Sequence, residues 1–288
     1  MGAQIAGHIA NAGIPSLLYD INDDLAKKGV EGLTKLKPAP LFSSKNSSLI
    51  TPCTYDNDLE KLNDCDLIIE AVAEKIEIKH SVYKSLLPHL KDDAILASNT
   101  SGIPLANLVE VLPDEVQSRF LISHFFNPPR YLRLLELVKG PKTSDEVYHT
   151  VTEFGETTLG KGIVHAKDTP GFIGNRLINA SGPLTFHKAM EFGLSVEDVD
   201  ALSGTLIGNA KSAYFRTQDV VGLDTALNVM NNMYDRVTTE SEEERQKFKA
   251  PDLLVKLVED GRLGQKSGQG WYKKEGKEIL SLDFDTME

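Results

Sequence analysis

Cysteine is nearly absent from this chain: Cys53 and Cys65 are the only two in 288 residues. Two thiols at that spacing make neither a disulfide framework nor a zinc site, and they fit a reducing compartment as small hydrophobes. Long hydrophobic runs are lacking as well. No stretch approaches the roughly 18 apolar residues of a membrane span, and no charged-then-apolar signal segment opens the chain. A cytoplasmic protein with no membrane partner is therefore expected. Positive charge is scarce, with 31 Lys and Arg against 42 Asp and Glu and a net charge of -11. That balance argues against nucleic acid as a partner. Lys27, Lys28, Lys35, Lys37 and Lys45 still make one locally basic region, read either as a solvated helix face or as a contact for a phosphate-rich tail. There is no internal repeat. What is present, 41% apolar and 25% charged residues, describes a soluble globular chain of one large or two ordinary domains.

One stretch organises the rest. Phe120-Leu121-Ile122-Ser123-His124-Phe125-Phe126 has the aromatic and branched content of a buried strand, and Asn127-Pro128-Pro129 must end it, because proline cannot donate to a sheet ladder. Leu132 to Val138 is a second apolar run with one carboxylate, Glu136, inside it. If the chain reverses around Arg130, His124 and Glu136 come opposite one another. A carboxylate accepting from one imidazole nitrogen fixes the tautomer and suits a general base. The plain alternative is a core histidine satisfied by a carbonyl, with Glu136 turned to solvent.

Upstream, Gly2 to Gly13 is small and apolar at helical spacing, and Ile14 to Asp20 reads as a buried strand ending in an acid. Gly2 and Asp20 would be the third glycine and the ribose-binding acid of a dinucleotide fingerprint, although a plain helix-strand pair reads equally well. Asn22 to Leu33 is an amphipathic helix, Asp64 to Val72 a strand, Ile76 to Leu90 a helix and Ala94 to Ser98 a strand running into the polar turn Asn99-Thr100-Ser101-Gly102. Open α/β sheets place ligands at such strand ends, and this alternation predicts a parallel, doubly wound sheet. Ser144 to Leu159 is a helix and Gly162 to Ala166 a last strand. The boundary is placed before Asp168-Thr169-Pro170-Gly171. Beyond it helices dominate: Phe172 to Phe192, one opened by Ser195, Val220 to Met233, and Pro251 to Glu259. A charged stretch runs from Thr238 to Lys249, and a glycine-punctuated turn, Gly264 to Tyr272, carries aromatic anchors.

Taken together, Asp20, Ser98-Asn99-Thr100-Ser101, His124-Phe125-Phe126-Asn127-Pro128, Leu135-Glu136-Leu137-Val138, Asp168-Thr169-Pro170-Gly171-Phe172, Asn175-Arg176-Leu177 and Gly268-Gln269-Gly270-Trp271-Tyr272 resemble the L-3-hydroxyacyl-CoA dehydrogenases, over essentially the whole chain. The closest resemblance is to the dehydrogenase part of bifunctional proteins that also carry an enoyl-CoA hydratase. It implies a Rossmann-like NAD-binding domain over 1–167 and an all-α domain over 168–288 for substrate and dimerisation. It also implies oxidation of a 3-hydroxyacyl-CoA thioester in fatty-acid β-oxidation. His124 would be the base and Glu136 its orienter, with Ser101 and Asn175 donating to the reacting oxygens. For NAD it assigns Gly2 to the pyrophosphate turn, Asp20 to the adenosine ribose, Glu74 and Lys79 to the nicotinamide side and Asn127 to the nicotinamide ribose. Asp20 favours NAD over NADP, since a carboxylate repels a 2'-phosphate. As partners it implies a second copy of the chain, or a fused or associated hydratase module.

The chain departs from the family where the first strand and the first two glycines of the turn should stand, so Met1 is expected to be internal to a longer protein and NAD binding to be impaired. Phe284 to Glu288 likewise ends without a cap. Ser212-Ala213-Tyr214-Phe215-Arg216 replaces a glycine-proline pair common in single-function members. Two other readings stay open: a silent acyl-CoA-binding or oligomerising protein, and a hydroxyacid dehydrogenase, for which Arg130 or Arg133 would anchor a substrate carboxylate.

Overall fold

The computed structural model describes residues 1–238, 241–284 and 286–287. The charged stretch from Thr238 and the tail from Phe284 thus fall partly outside the described residues. The chain divides into two compact units, Met1–Ile173 and Gly174–Glu288. The division comes later than Lys167 because the first unit holds the Asp-Thr-Pro-Gly turn. Asp168 Oδ2 accepts the Leu105 N–H at 2.9 Å, and Glu136 Oε1 accepts that of Ile173 at 3.0 Å.

In the first unit α1 (Gly2–Asn11) leads to β1 (Ser16–Asp20), α2 (Asp23–Gly32), β2 (Ile50–Thr54), β3 (Leu67–Glu70), α3 (Ile76–Leu86) and β4 (Ile95–Ser98). Two short helices, α4 (Leu105–Leu108) and α5 (Asp114–Gln117), precede β5 (Phe120–Phe125) and β6 (Leu134–Lys139), and α6 (Asp145–Glu153) and β7 (Gly162–Ala166) close the unit. The α/β architecture is the expected one. The strands make two sheets, β1-β2 and β3-β4-β5-β6-β7, and in the larger β6 runs antiparallel to β5, as the reversal around Arg130 requires. Helix α1 packs against both: Ala6 and Ala10 meet Leu18 and Ile50, while Ile5 and Ile9 meet Leu67, Ile69, Ala97 and Leu121. β2 escapes pattern reading because Pro52 interrupts it; paired only with β1, it is an edge strand, where proline is tolerated.

Strand β5 is buried along its whole length. Its residues alternate between two clusters, Phe120 and Ile122 toward Tyr83 and Leu108 on one face, Leu121 and Phe125 toward Ile5 and Leu135 on the other. Each such side chain stabilises the sheet by about 1.5–3 kcal/mol. The same alternation fixes where the histidine points, since period two puts His124 on the Phe120 and Ile122 face.

The second unit is helical: α7 (Gly174–Glu191), α8 (Val196–Ser203), α9 (Phe215–Val221), α10 (Leu223–Arg236), α11 (Glu242–Gln246) and α12 (Asp252–Glu259), followed by the hairpin β8 (Tyr272–Glu275) and β9 (Glu278–Ser281). Ser195 caps α8 in a full capping box with Asp198. The helix expected over Val220 to Met233 is two, broken at Gly222, whose φ of 102° is open to glycine. The aromatic anchor of the tail is Trp271, buried among Phe186, Phe215 and Leu257. Its N–H donates to Asp219 Oδ1 at 2.9 Å, that of Tyr272 to Asp219 Oδ2 at 2.9 Å, and its indole to Gln218 Oε1 at 3.0 Å. Where the glycine-proline pair is replaced, Tyr214 donates to the Gly182 carbonyl at 2.6 Å and Asp200 accepts the Phe215 N–H at 2.7 Å, tying α9 to α7 and α8.

Candidate active site

The hairpin of β5 and β6 turns at Asn127 to Arg133 and pairs His124 with Glu136 directly. The two side chains share one face, and His124 Nδ1 lies 2.7 Å from Glu136 Oε2. Glu136 is fully buried and His124 is 6% exposed. A carboxylate held in that position accepts from Nδ1–H, which leaves the lone pair of the ring on Nε2. The other oxygen of Glu136 accepts the Ile173 N–H, so the carboxylate cannot turn away. Two aromatic rings fix the plane of the imidazole, Phe126 at 4.5 Å and Phe172 at 5.6 Å between centroids. Phe172 holds a left-handed φ of 48° to reach that place. A core histidine bonded to a carbonyl, with Glu136 in solvent, is not what the chain contains.

Ser101 lies beyond the end of β4, in the turn expected to face a ligand. Asn99 Oδ1 accepts the Phe125 N–H at 2.9 Å and so pins this turn beside the end of β5. Glu74 stands over it: its Oε1 accepts Thr100 Oγ1 at 2.6 Å, Ser101 N–H at 2.9 Å and Ser101 Oγ at 3.3 Å. Burial works to raise the Glu74 carboxyl, but the Thr100 hydroxyl, the Lys79 charge and the Ser101 amide outweigh it and hold the group below its ordinary range. Lys79 is not the solvated helix residue its polar neighbours suggest. Its side chain is 1% exposed, and its ammonium sits 2.7 Å from Glu70 Oε1 and 3.3 Å from Glu74 Oε2. Sequence reasoning missed Glu70, although a lone acid ending the apolar strand Leu67-Ile68-Ile69 was a signal that could have found it.

The remaining predicted residues lie at strand and helix ends. Gly2 opens α1, where a Cβ would come into van der Waals contact with Leu18 of β1 and Ala71 just past β3. The N-cap residue, Met1, makes no side-chain cap, so the first amides of α1 are available to an anion. Asp20 ends β1, and its Oδ1 accepts the Ile21 N–H at 2.8 Å. These groups fit a dinucleotide: amides for a pyrophosphate, a carboxylate for a ribose. Asn127 is exposed immediately after β5. Asn175 opens α7 in the second unit, where its carbonyl accepts Asn179 Nδ2 at 2.7 Å. Arg130 is committed elsewhere: its guanidinium donates to the Ala39 and Leu41 carbonyls at 2.6 and 2.9 Å and stacks on Phe42.

Residues 1–169 match the model of the 3-hydroxyacyl-CoA dehydrogenase NAD binding domain, and residues 171–274 that of the 3-hydroxyacyl-CoA dehydrogenase C-terminal domain. The chain belongs to the 3-hydroxyacyl-CoA dehydrogenase family. Its cofactor is accordingly NAD. A "Probable 3-hydroxyacyl-CoA dehydrogenase" of Bacillus subtilis is 43% identical over 308 residues, covering 100% of this chain and 39% of the relative. One of the same description from Deinococcus radiodurans is 42% identical over 294 residues, covering 99% of this chain and 83% of the relative. The crystal structure of (S)-3-hydroxybutyryl-CoA dehydrogenase from Ralstonia eutropha superposes with a TM-score of 0.77 at 28% identity, over 96% of each chain. This member of the dehydrogenase family thus spans about two-fifths of its Bacillus relative, 39%. Among the described residues no helix is long and apolar enough to cross a membrane.

Proposed function

We propose that this dehydrogenase oxidises an L-3-hydroxyacyl-CoA to the 3-oxoacyl-CoA, as fatty-acid β-oxidation requires, with His124 as general base and Glu136 as its orienter. The observation that carries this reading is the 2.7 Å bond from His124 Nδ1 to a buried Glu136. Bound NAD supplies the acceptor for the hydride that leaves the substrate's C3. His124 Nε2 takes the proton of the C3 hydroxyl, and the buried carboxylate stabilises the imidazolium that results. Phe126 and Phe172 pack against the ring and orient it. Gly2 and the amides of α1 hold the pyrophosphate, Asp20 the adenosine ribose and Asn127 the nicotinamide ribose, while Glu74 and Lys79 lie on the nicotinamide side.

A second copy of the chain is proposed to cover the exposed Leu177, Ile178 and Leu184 of α7. Relatives from Rickettsia named "Putative fatty acid oxidation complex trifunctional enzyme" support extending the proposal to a fused or associated hydratase module. The hydroxyacid reading loses support because Arg130 is spent on backbone carbonyls. The silent acyl-CoA-binding reading keeps one observation in its favour, the break between β1-β2 and the larger sheet beside Gly2.

Calorimetry and turnover separate the two. Heat on adding NAD, with NADH consumed when acetoacetyl-CoA is supplied, is the expected outcome. Heat with acetoacetyl-CoA alone and none with NAD would leave the silent reading standing.

A further inference from the structure

The turn between β5 and β6 closes around a buried cation that the proposed reaction does not use. Lys161, just ahead of β7, is 5% exposed. Its backbone is fixed on both sides: its amide donates to the Gly155 carbonyl at 2.9 Å, and that of Gly162 to the Arg133 carbonyl at 2.8 Å. From there the side chain enters the turn, where Nζ donates to the Pro129 carbonyl and, at 3.0 Å, to the Leu132 carbonyl. The ammonium also lies 5.5 Å from the centroid of the Phe125 ring. Its partners among the described residues are thus carbonyl dipoles and a π face rather than a carboxylate. Burial pulls its pKa from 10.5 down to about 8, which keeps it an ammonium at neutral pH. Burying a cation without a counter-ion is costly, and the two carbonyl bonds offset that cost only while the turn stays closed around them.

The same turn carries Asn127, read above as the residue that holds the nicotinamide ribose. Ladder pairing ends at Phe125 and Leu135, so the turn needs other bonds to keep its shape. The amides of Tyr131 and Leu132 both donate to the Pro128 carbonyl at 3.0 Å, and Arg130 ties the turn outward to the Ala39 and Leu41 carbonyls. Lys161 supplies the inward hold. We propose that Lys161 is a positioning residue which, by drawing the Pro129 and Leu132 carbonyls together from inside the turn, sets Asn127 for the nicotinamide half of NAD. Without the ammonium both carbonyls lose their donor, and the turn has to open to water to recover one. Asn127 then samples several positions, and its bond to the ribose weakens. The adenosine half, read as held by Asp20 and the amides of α1, lies on other elements and is untouched. That separation distinguishes the positioning of Asn127 from a general loss of folding.

The proposal rests on the reading of Asn127 as the ribose ligand, so its test has an arm that needs no cofactor. The substitution is Lys161→Met, which keeps the apolar stem and removes the ammonium. Amide hydrogen exchange of Tyr131 and Leu132 in the ligand-free chain should rise about tenfold or more, with β3 and β4 unchanged. By calorimetry the Kd for NADH should rise about tenfold, as for the loss of one well-placed hydrogen bond, while the Kd for ADP, which lacks the nicotinamide ribose, moves less than about twofold. In an Asn127→Ala background the same substitution should cost NADH no further affinity. Unchanged exchange at Tyr131 and Leu132, an unmoved Kd for NADH, equal weakening of NADH and ADP, or an equal NADH loss with and without Asn127 overturns the proposal. A wild-type chain that does not bind NADH, or an Asn127→Ala chain that binds it as tightly as wild type, refutes the ribose reading instead, and the exchange arm still decides whether Lys161 holds the turn. If Lys161→Met does not fold, Lys161→Gln keeps an N–H donor on a shorter stem without the charge, and the same comparisons apply.

Discussion

Nε2 is the nitrogen of His124 left with the lone pair because Nδ1 is spoken for, and Nδ1 is spoken for because a strand register puts Glu136 across from it. A second histidine shows what the same fold does without a carboxylate. His8, on α1, lies against the Leu159 carbonyl at 3.1 Å. Burial, then the nearby Lys161 charge, push it from 6.5 to about 4, while the Leu159 bond pulls the other way and Arg130 adds to the lowering. Its folded value lies below its unfolded one, so folding favours the neutral ring. The stability it contributes is complete above pH 6.5 and is lost as pH falls toward about 4. Urea unfolding across that window should steepen with acid in the wild type. His8→Gln, which keeps a donor for Leu159 and cannot titrate, should flatten the slope; an unchanged slope would assign the acid sensitivity to other groups.

Within elements, the sequence pattern told most about the β5-β6 hairpin. Prolines end β5, the apolar runs match, and the reversal around Arg130 is enough to pair His124 with Glu136. It told least where partners are distant. Glu70 draws its partners from α3 and β4, so no local period reveals that its carboxylate is satisfied. Pro52 hides β2, and Gly222 divides a helix that apolar spacing alone would run through. The tail turn is a case where glycine is a steric demand. A Cβ on Gly270 would overlap Asp219 Oδ1, the acceptor of the Trp271 amide, and stand 2.7 Å from Gly264 Cα. Gly270→Ala should therefore cost about 1–3 kcal/mol by forcing Trp271 off Asp219. Thermal unfolding followed by tryptophan fluorescence would measure it, and since Trp271 is the single tryptophan the signal is local. An unshifted midpoint would mean that the turn relaxes freely.

At the scale of the whole molecule, the chain divides into two units. The first holds His124, Glu136, the Ser101 turn and the groups suited to NAD; the second has a helical core built on Trp271. The family, and with it the cofactor, follow from motifs in both. The expected boundary came early because Asp168 and Ile173 reach back into the first unit by bonds that turn-forming residues do not announce. His124 is proposed to move the proton. The most direct test is the rate of NADH consumption with acetoacetyl-CoA for wild type and His124→Ala, side by side. A loss of about 10²- to 10⁴-fold in kcat is expected, with the folded state intact. A His124→Ala protein as fast as the wild type would contradict it.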